Sequence, residues 1–195
     1  MKFIVATNNS GKLREIRAIL SKLGVDAVSP DEAGLDIDVE ETGSTFRENA
    51  TLKARAACGI SGMPSIADDS GLAVEALGGA PGVYSARYGG CLSDGERCGL
   101  LLHNMKNMEQ RAAKFVCNIM CVFPDGRTVF AEGECDGEIA GAPRGSGGFG
   151  YDPIFVARGM ERTMAELTEN EKNEISHRGK ALKMLYRELR RELWK

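Results

Sequence analysis

The sequence predicts a fold that combines helices and strands, α/β or α+β in class, with a mixed central sheet flanked by helices. Predicted strands and helices alternate along the 195 residues, beginning with a strand at 2–7 and an amphipathic helix. A hairpin pattern at 113–138 adds antiparallel strands, so the sheet should be mixed rather than purely parallel. This length suits one domain with a substantial core, and we predict a single domain over residues 1–195.

The first third of the chain supplies two predicted helices. Residues 11–23 form the first, ended by Gly24, because apolar residues recur on one helical face: Leu13, Ile16, Leu20 and Leu23. A short strand near 25–29 and an irregular acidic segment follow. The second helix should run from about 44 to 60, since Thr45 and Glu48 have the spacing of a capping box.

The remaining elements follow from short local patterns. A short buried strand is predicted at 65–68, ending in two aspartates, and a helix at about 93–108. Strands 113–123 and 127–138 flank the turn-forming Pro124–Gly126, as in a hairpin. A strand at 154–157 and a helix from about Ser176 complete the chain. Its apolar stripe is Leu182, Leu185, Leu189 and Leu193.

Long glycine-rich loops interrupt these elements at 78–95 and 141–153. Polar loops of this length are unusual in a compact domain and are usually functional. They therefore predict two lobes with a substrate cleft between them.

Charge and hydropathy exclude several classes of protein. Lys and Arg number 25 against 28 Asp and Glu, a net charge of −3, so the cationic footprint of a general nucleic-acid binder is missing. No apolar run reaches the roughly 18 residues of a membrane span, and the N-terminus resembles a strand rather than a signal peptide. We expect a cytoplasmic protein that binds neither nucleic acid nor membrane.

The six cysteines include no CxxC pair, and the chain has two histidines, so a structural zinc site is not expected. Cys117 and Cys121 fall on one face of a predicted strand. We interpret them as small, reduced core residues.

The run TNNSGK at 7–12 lies between the first strand and the first helix, which is the layout of a phosphate-binding loop. It is not a Walker A loop, because Ala6 stands where glycine is required and Leu13 where a hydroxyl is required. Backbone N–H groups and the Lys12 ammonium would face an anion.

Four carboxylates are the predicted metal and catalytic groups: Glu40, Glu41, Asp68 and Asp69. Carboxylates at a strand end opposite a phosphate loop commonly hold Mg²⁺, which keeps several of its waters. The alternative for Glu40 and Glu41 is that they only favour the positive end of the second helix. Lys53 within that helix would either cover apolar surface with its stem or neutralise charge on a transferring phosphoryl group.

Two further segments favour ligand binding. In GGFGYDP, glycines allow close backbone approach, and Phe149 and Tyr151 offer faces for stacking. His177 and Arg178 occupy the first turn of the last helix, where cations are unfavourable, so a ligand is a better reason for them than helix stability. The alternative is that His177 and Arg178 have only a structural role at the start of the helix.

Together these stretches resemble one family, the Ham1-like inosine/xanthosine triphosphate pyrophosphatases. The matching runs keep family order and spacing: TNNSGK (7–12), ETGSTFRENATLKARAA (41–57), IADDSGLAVEALGGAPGVYSARY (66–88), GGFGYDPIF (147–155) and AELTENEKNEISHRGKAL (165–182). The resemblance implies the reaction NTP + H₂O → NMP + PPi with Mg²⁺, a preference for ITP, dITP and XTP, and a homodimer.

The resemblance also implies residue roles. The triphosphate would be held by Thr7, Asn8, Asn9, Ser10, Gly11 and Lys12. Asp69 would be the acid–base residue and a metal ligand, assisted by Lys53 and Asp68, with Glu41 preferred to Glu40 on the metal. Substrate and base contacts would come from Ser70, Phe149, Gly150, Tyr151, Asp152, Lys172, His177 and Arg178. The hairpin would supply no site residue.

Base selection has a chemical explanation. Hypoxanthine and xanthine present an acceptor at O6, where adenine presents an N–H donor. Donors from Lys172, Arg178 or the backbone of 147–150 would therefore favour the first two bases. Two other functions stay open at this stage: a nucleotide-binding regulator without hydrolysis, and a hydrolase of modified pyrimidine nucleotides.

Overall fold

The computed structural model describes residues 1–7, 9–91 and 93–194. Its six strands form one sheet in the order β2-β1-β3-β4-β5-β6. β1 is parallel to β2 and β3, whereas β5 and β6 are antiparallel, which confirms the predicted mixed sheet. The strands are β1 Lys2–Val5, β2 Asp26–Val28, β3 Ser65–Val74, β4 Ala112–Val122, β5 Thr128–Ile139 and β6 Phe155–Ala157.

Helices occupy most of the predicted places. They are α1 Ser10–Ser21, α2 Phe46–Ser61, α3 Asp94–Asn104, α4 Glu169–Ile175 and α5 His177–Leu193. The predicted α2 capping box is present, with Thr45 and Glu48 each accepting from the other's backbone. α4 was not predicted, although Thr168 and Glu171 form a capping box at its start. The glycine-rich 78–95 stretch contains a kinked 3₁₀ segment, Gly82–Gly90.

The chain forms two compact units. Unit 1 comprises Met1–Asp69, Cys117–Gly133 and Ala181–Lys195. Its larger core joins α1, α5 and the sheet through buried residues that include Phe3, Leu20, Ile119 and Leu185. Cys117 and Cys121 are fully buried in this core, as predicted. All six cysteines are free thiols.

Unit 2 comprises Ser70–Val116 and Glu134–Lys180, and it has a core of its own. Leu101 and Met105 of α3 pack there with Leu72 of β3 and Phe155 of β6. In neither unit do the described residues include a helix with the length and hydropathy of a membrane span. The cleft predicted between two lobes stays a prediction.

One predicted element is wrong in its extent. β3 does not end at Asp68 and Asp69 but continues to Val74, so both aspartates are buried within a strand. Carboxylates are disfavoured in strands by propensity alone. Here Lys12 pairs with Asp68, and Asn49 donates to Asp69, which offsets part of the cost of burial.

Candidate functional site

The TNNSGK run forms the junction of β1 and α1, as predicted. Asn9 caps α1, and its Oδ1 accepts the N–H groups of Gly11 and Lys12 at 2.9 and 3.1 Å. Thr7 Oγ1 accepts the Asn9 N–H at 3.2 Å. Two of the N–H groups predicted to face an anion are thus bound to Asn9, and a phosphate using them would displace its side chain. Asn8 lies outside the described residues.

Lys12, at the start of α1, reaches a carboxylate of β3. Its Nζ lies 2.7 Å from Asp68 Oδ2, and the aspartate side chain is 2% exposed. The lysine predicted for the phosphates is therefore held by one of the two aspartates predicted for catalysis. The ion pair fixes the ammonium beside the first turn of α1, where the helix dipole also favours an anion.

Asp69, the next residue of β3, belongs to what we call the carboxylate cluster: Glu41, Asn49, Lys53 and Asp69. Asn49 Nδ2 donates to Asp69 Oδ2 at 3.1 Å. Lys53 Nζ lies 2.6 Å from Glu41 Oε1 and 3.9 Å from Asp69 Oδ1. Lys53 thus points at carboxylates rather than only covering apolar surface.

The environment of Asp69 raises its pKa above the ordinary aspartate value. Burial is the largest cause, and the negative charge of Glu41 adds to it. Lys53 and the Asn49 hydrogen bond act in the opposite direction without cancelling the rise. Burial and a neighbouring carboxylate both disfavour the charged form, which is typical of functional sites.

The carboxylate cluster distinguishes the two predicted metal-side glutamates. Glu41 is within it, whereas the Glu40 side chain is exposed. Among residues 1–7, 9–91 and 93–194, no three His, Cys, Asp or Glu side chains group as a metal site. Mg²⁺ commonly uses only one or two carboxylates together with substrate phosphates and water, so the Glu41 and Asp69 oxygens fit its chemistry.

Asn49 was missed at the level of sequence. Besides donating to Asp69, its Oδ1 accepts the Gly43 N–H at 2.8 Å, which ties the loop before α2 to the helix. A Cβ on Gly43 would lie 2.6 Å from that oxygen, so the glycine permits the contact. The only available signal was a polar side chain at an otherwise buried α2 position.

Unit 2 gathers most of the residues predicted to bind the base. We call Phe149, Asp152, Lys172 and Arg178 the aromatic cluster. Lys172 Nζ and Arg178 Cζ lie 4.5 and 5.3 Å from the centroid of the Phe149 ring, which is 48% exposed. Arg178 Nη2 also donates to Ser70 Oγ at 3.3 Å. The cluster presents a half-exposed aromatic face with two cations beside it.

Asp152 organises this cluster from below the surface. Its Oδ2 accepts from Lys172 Nζ at 2.5 Å and from the Phe149 N–H at 2.7 Å. A Cβ on Gly148 would lie 2.1 Å from the same oxygen, so this position requires glycine. The Asp152 side chain is itself buried, and the contacts described for it are the hydrogen bonds with Lys172 and with the Phe149 N–H.

Tyr151 differs from the expectation that it offers a face for stacking. Only 3% of the residue is exposed, and its ring lies in the unit 2 core. Its hydroxyl donates to Ser85 O at 2.9 Å, and burial raises its pKa. Phe149 thus has a half-exposed ring and Tyr151 a buried one, although the two are only two positions apart.

His177 begins α5 and stacks on a residue of the hairpin. The imidazole and the Phe115 ring are 4.8 Å apart at an interplanar angle of 14°. Ser176 Oγ accepts the Gly179 N–H at 3.1 Å, the predicted cap of this helix. The expectation that the hairpin supplies no site residue stays a prediction, although Phe115 of β4 contacts the predicted site residue His177.

The backbone of 147–150 is less available for base recognition than expected. Gly147 donates to Ala165 O at 3.0 Å, and Phe149 donates to Asp152. Gly150 donates to Asp94 Oδ2 at 2.6 Å. These three N–H groups already have acceptors, so the donors to consider for a purine O6 are Lys172, Arg178 and the N–H of Gly148.

Comparison with known proteins places these features in a family. The sequence model described as the Ham1 family matches residues 3–188. The chain is 52% identical over 188 residues to the dITP/XTP pyrophosphatase of Gloeobacter violaceus, covering 95% of this chain and 93% of that one. It is 50% identical to the protein of that name from Aquifex aeolicus, covering 95% of each.

Solved structures agree with this similarity. The Staphylococcus aureus Ham1 protein superposes with a TM-score of 0.92 at 44% identity, covering 98% of this chain and 100% of that one. A HAM1 protein from Coxiella burnetii gives a TM-score of 0.93 at 43% identity, covering 98% and 99%. The chain belongs to the Ham1 family.

Proposed function

We propose that this protein hydrolyses the non-standard purine nucleotides ITP, dITP and XTP to the monophosphate and pyrophosphate, and so removes them from the nucleotide pool. Relatives at about half identity over nearly the whole chain carry the name dITP/XTP pyrophosphatase. The observation that carries the proposal is the carboxylate cluster, in which buried Asp69 lies beside Asn49, Lys53 and Glu41. A protein that only binds nucleotide has no need for this arrangement.

Mg²⁺ is the cofactor we propose, held by Asp69 and Glu41 with the substrate phosphates and water completing its shell. Bound there, it would neutralise phosphate charge and help to form the attacking hydroxide. Lys53 holds the two carboxylates close together without the ion, since its ammonium contacts Glu41 and lies near Asp69.

Side chains of the protein would supply proton transfer, charge neutralisation and substrate binding. Asp69 would accept a proton from the water that attacks the α-phosphorus, and Lys53 would balance charge developing on the phosphoryl oxygens. Lys12, fixed by Asp68, binds the phosphate chain together with Ser10 at the start of α1. Phe149 stacks on the base, with Lys172 and Arg178 as donors to its edge.

The products distinguish this reaction from other triphosphate hydrolysis. We expect ITP and Mg²⁺ to yield IMP and pyrophosphate in equal amounts, followed by ³¹P NMR, with ¹⁸O from labelled water in IMP. Formation of IDP and orthophosphate would contradict the proposal. Tight binding of ITP with no turnover would favour the regulator, and chelation by EDTA should abolish turnover until Mg²⁺ is restored.

A homodimer and a cytoplasmic location remain proposals that rest on the family resemblance and on the reaction's place in nucleotide metabolism. Light scattering after gel filtration tests the first, since it should give twice the chain mass. Fractionation of cells that produce the protein tests the second.

A further inference from the structure

The first turns of α3 hold the backbone of Gly150 at both of its polar groups. Asp94 Oδ2 accepts the Gly150 N–H at 2.6 Å, and Cys98 Sγ lies 3.3 Å from the Gly150 carbonyl oxygen as its donor. Asp94 and Cys98 are four residues apart, so they lie on one face of the helix. Gly150 has φ of +63°, a left-handed conformation that this pair of contacts fixes.

Two carboxylates thus bind two successive N–H groups of the loop. Asp152 accepts the N–H of Phe149, and Asp94 accepts that of Gly150. The Phe149 side chain is half exposed, and Lys172 and Arg178 are the cations beside its ring. With half of the side chain free of packing, the direction of the ring depends in part on how its backbone is held. Hydrogen bonds to charged acceptors are the stronger kind and suit this task.

Asp94 is itself held in place. Arg97 pairs with its Oδ1, and the Arg97 Nη1 donates to Cys91 O at 3.2 Å. The positive end of α3 also favours a carboxylate in its first turn. The charge is consequently preorganised to receive the Gly150 N–H.

Asp94 is not required to cap the helix. Ser93 Oγ accepts the Glu96 N–H, and the Glu96 carboxylate accepts the Ser93 N–H, so the capping box is complete without it. The 2.6 Å contact with Gly150, 56 residues along the chain, needs another explanation than α3 stability.

We propose that Asp94 is a positioning residue for base recognition, which fixes the Phe149–Gly150 peptide and thereby the stacking face of Phe149. The inference rests on the proposed function, because it assigns the base to Phe149. Asp94 touches no substrate, and its effect should be confined to interactions that involve the base.

The test compares Asp94→Ala, Asp94→Asn and Asp94→Ser with a matched control on the same helical turn, Glu96→Ala. Asn keeps an oxygen that can accept the Gly150 N–H. Ser keeps a good residue for a helix start but is too short to reach, so it carries the test if the alanine variant fails to fold. Glu96→Ala removes the capping box and leaves the Gly150 contact.

For the Ala and Ser variants we expect KM for dITP and Kd for IMP to rise about tenfold, the effect of losing one hydrogen bond to a charged group. The inhibition constant of inorganic tripolyphosphate, which has no base, should not change. Asn should recover most of the loss. Glu96→Ala should lower Tm while KM for dITP stays unchanged.

Equal weakening of IMP and tripolyphosphate, or an unchanged KM in Asp94→Ala and Asp94→Ser, would overturn the inference. A Glu96→Ala variant with the same KM increase would do so as well, since α3 stability would then explain it. Failure of the wild-type protein to release pyrophosphate from dITP would instead contradict the proposed function. Even then, the Gly150 amide proton signal of ¹⁵N-glycine-labelled protein should move upfield in Asp94→Ala, and an unmoved signal would disprove the contact.

Discussion

Lys12 Nζ lies 2.7 Å from Asp68 Oδ2, which joins the first turn of α1 to a strand carboxylate that is 2% exposed. The lysine of the loop that we propose to bind phosphate is therefore anchored by a protein carboxylate rather than extended into solvent. This ion pair explains why Asp68 is tolerated within β3. It also makes Lys12 available to phosphates at little further entropic cost, because the side chain is already ordered.

Replacing Lys12 should weaken phosphate binding selectively. Lys12→Ala removes the ammonium, so we expect the affinity for ITP to fall at least tenfold and that for IMP to change far less. Isothermal titration calorimetry gives the dissociation constants of ITP and IMP. EDTA, or a second substitution that impairs catalysis, prevents hydrolysis of ITP during the titration. Lys22→Ala, an exposed lysine beyond the end of α1, is the control and should change neither. Equal weakening of ITP and IMP would place Lys12 away from the phosphates.

Replacing Asp69 should abolish most turnover. Asp69→Asn keeps the shape of the side chain and loses its charge, so we expect kcat to fall by about 10²–10⁴-fold, the usual effect of one preorganised acid–base or electrostatic group. Steady-state pyrophosphate release at saturating ITP measures it. Glu40→Gln is the control from the exposed neighbour of Glu41, with kcat expected near that of the wild type. Normal turnover by a folded Asp69→Asn protein would contradict the role of Asp69.

The same variant tests the raised pKa of Asp69. A carboxyl whose pKa is higher in the folded than in the unfolded state binds more protons when folded. Its contribution to the unfolding free energy therefore decreases as pH rises through the folded pKa. In EDTA at pH 7, Asp69→Asn should melt at the same or a higher temperature than wild type, with the difference shrinking toward pH 4. A Tm well below the wild-type value at pH 7 would show that the charge stabilises the metal-free fold.

Phe149→Ala should affect base binding rather than metal use. Loss of one stacking face typically costs about 1–3 kcal/mol per base, so we expect KM for ITP to rise roughly tenfold or more. The Mg²⁺ concentration for half-maximal rate should change little. Tyr84→Ala removes another exposed aromatic of unit 2 and should leave both values unchanged. An altered Mg²⁺ requirement with an unchanged KM would be incompatible with stacking on the base.

The α2 capping box offers a prediction about stability. Thr45→Ala removes the oxygen that accepts the Glu48 N–H, so the free energy of unfolding should fall by about 1 kcal/mol. Thr51→Ala makes the same change inside α2, where alanine is the better helix former, and should be neutral or slightly stabilising. Urea denaturation of the three proteins measures the difference. Equal values for Thr45→Ala and Thr51→Ala would mean that the cap contributes nothing.

Locally encoded features were predictable from sequence. The Thr45–Glu48 box, the Ser176 cap and the hairpin turn at 124–126 depend on residues a few positions apart, and the structure contains all three. Asp68 and Asp69 were also predictable as functional residues, because two carboxylates at the end of a short apolar strand are unusual for a residue pair with no function. Lys12 and Lys53 were also named from the sequence, but for phosphate groups, and their ion pairs with Asp68 and Glu41 were not predicted.

Contacts between distant segments were not predictable in this way. β3 continues past Asp69 because groups from α1 and α2 satisfy the carboxylates, which strand propensity does not report. Tyr151 turns inward because Ser85 O accepts its hydroxyl, 66 positions away. Asp94 and Phe115 act on the loop and on His177 through equally remote pairings. Such pairings form only when the fold brings distant segments together, whereas caps and turns are determined by residues close in sequence.

The proposed preference for non-standard purine nucleotides is tested most directly by kcat/KM for ITP, dITP, XTP, GTP and ATP, measured under one set of conditions with Mg²⁺. Donors at the base edge should make ITP, dITP and XTP good substrates. ATP should be rejected most strongly, by about 10⁴-fold, because its amino group meets donors. GTP should lie between, since it keeps O6 and adds a 2-amino group. Higher activity on a modified pyrimidine triphosphate would favour the other hydrolase, and equal kcat/KM for ATP and ITP would contradict the account.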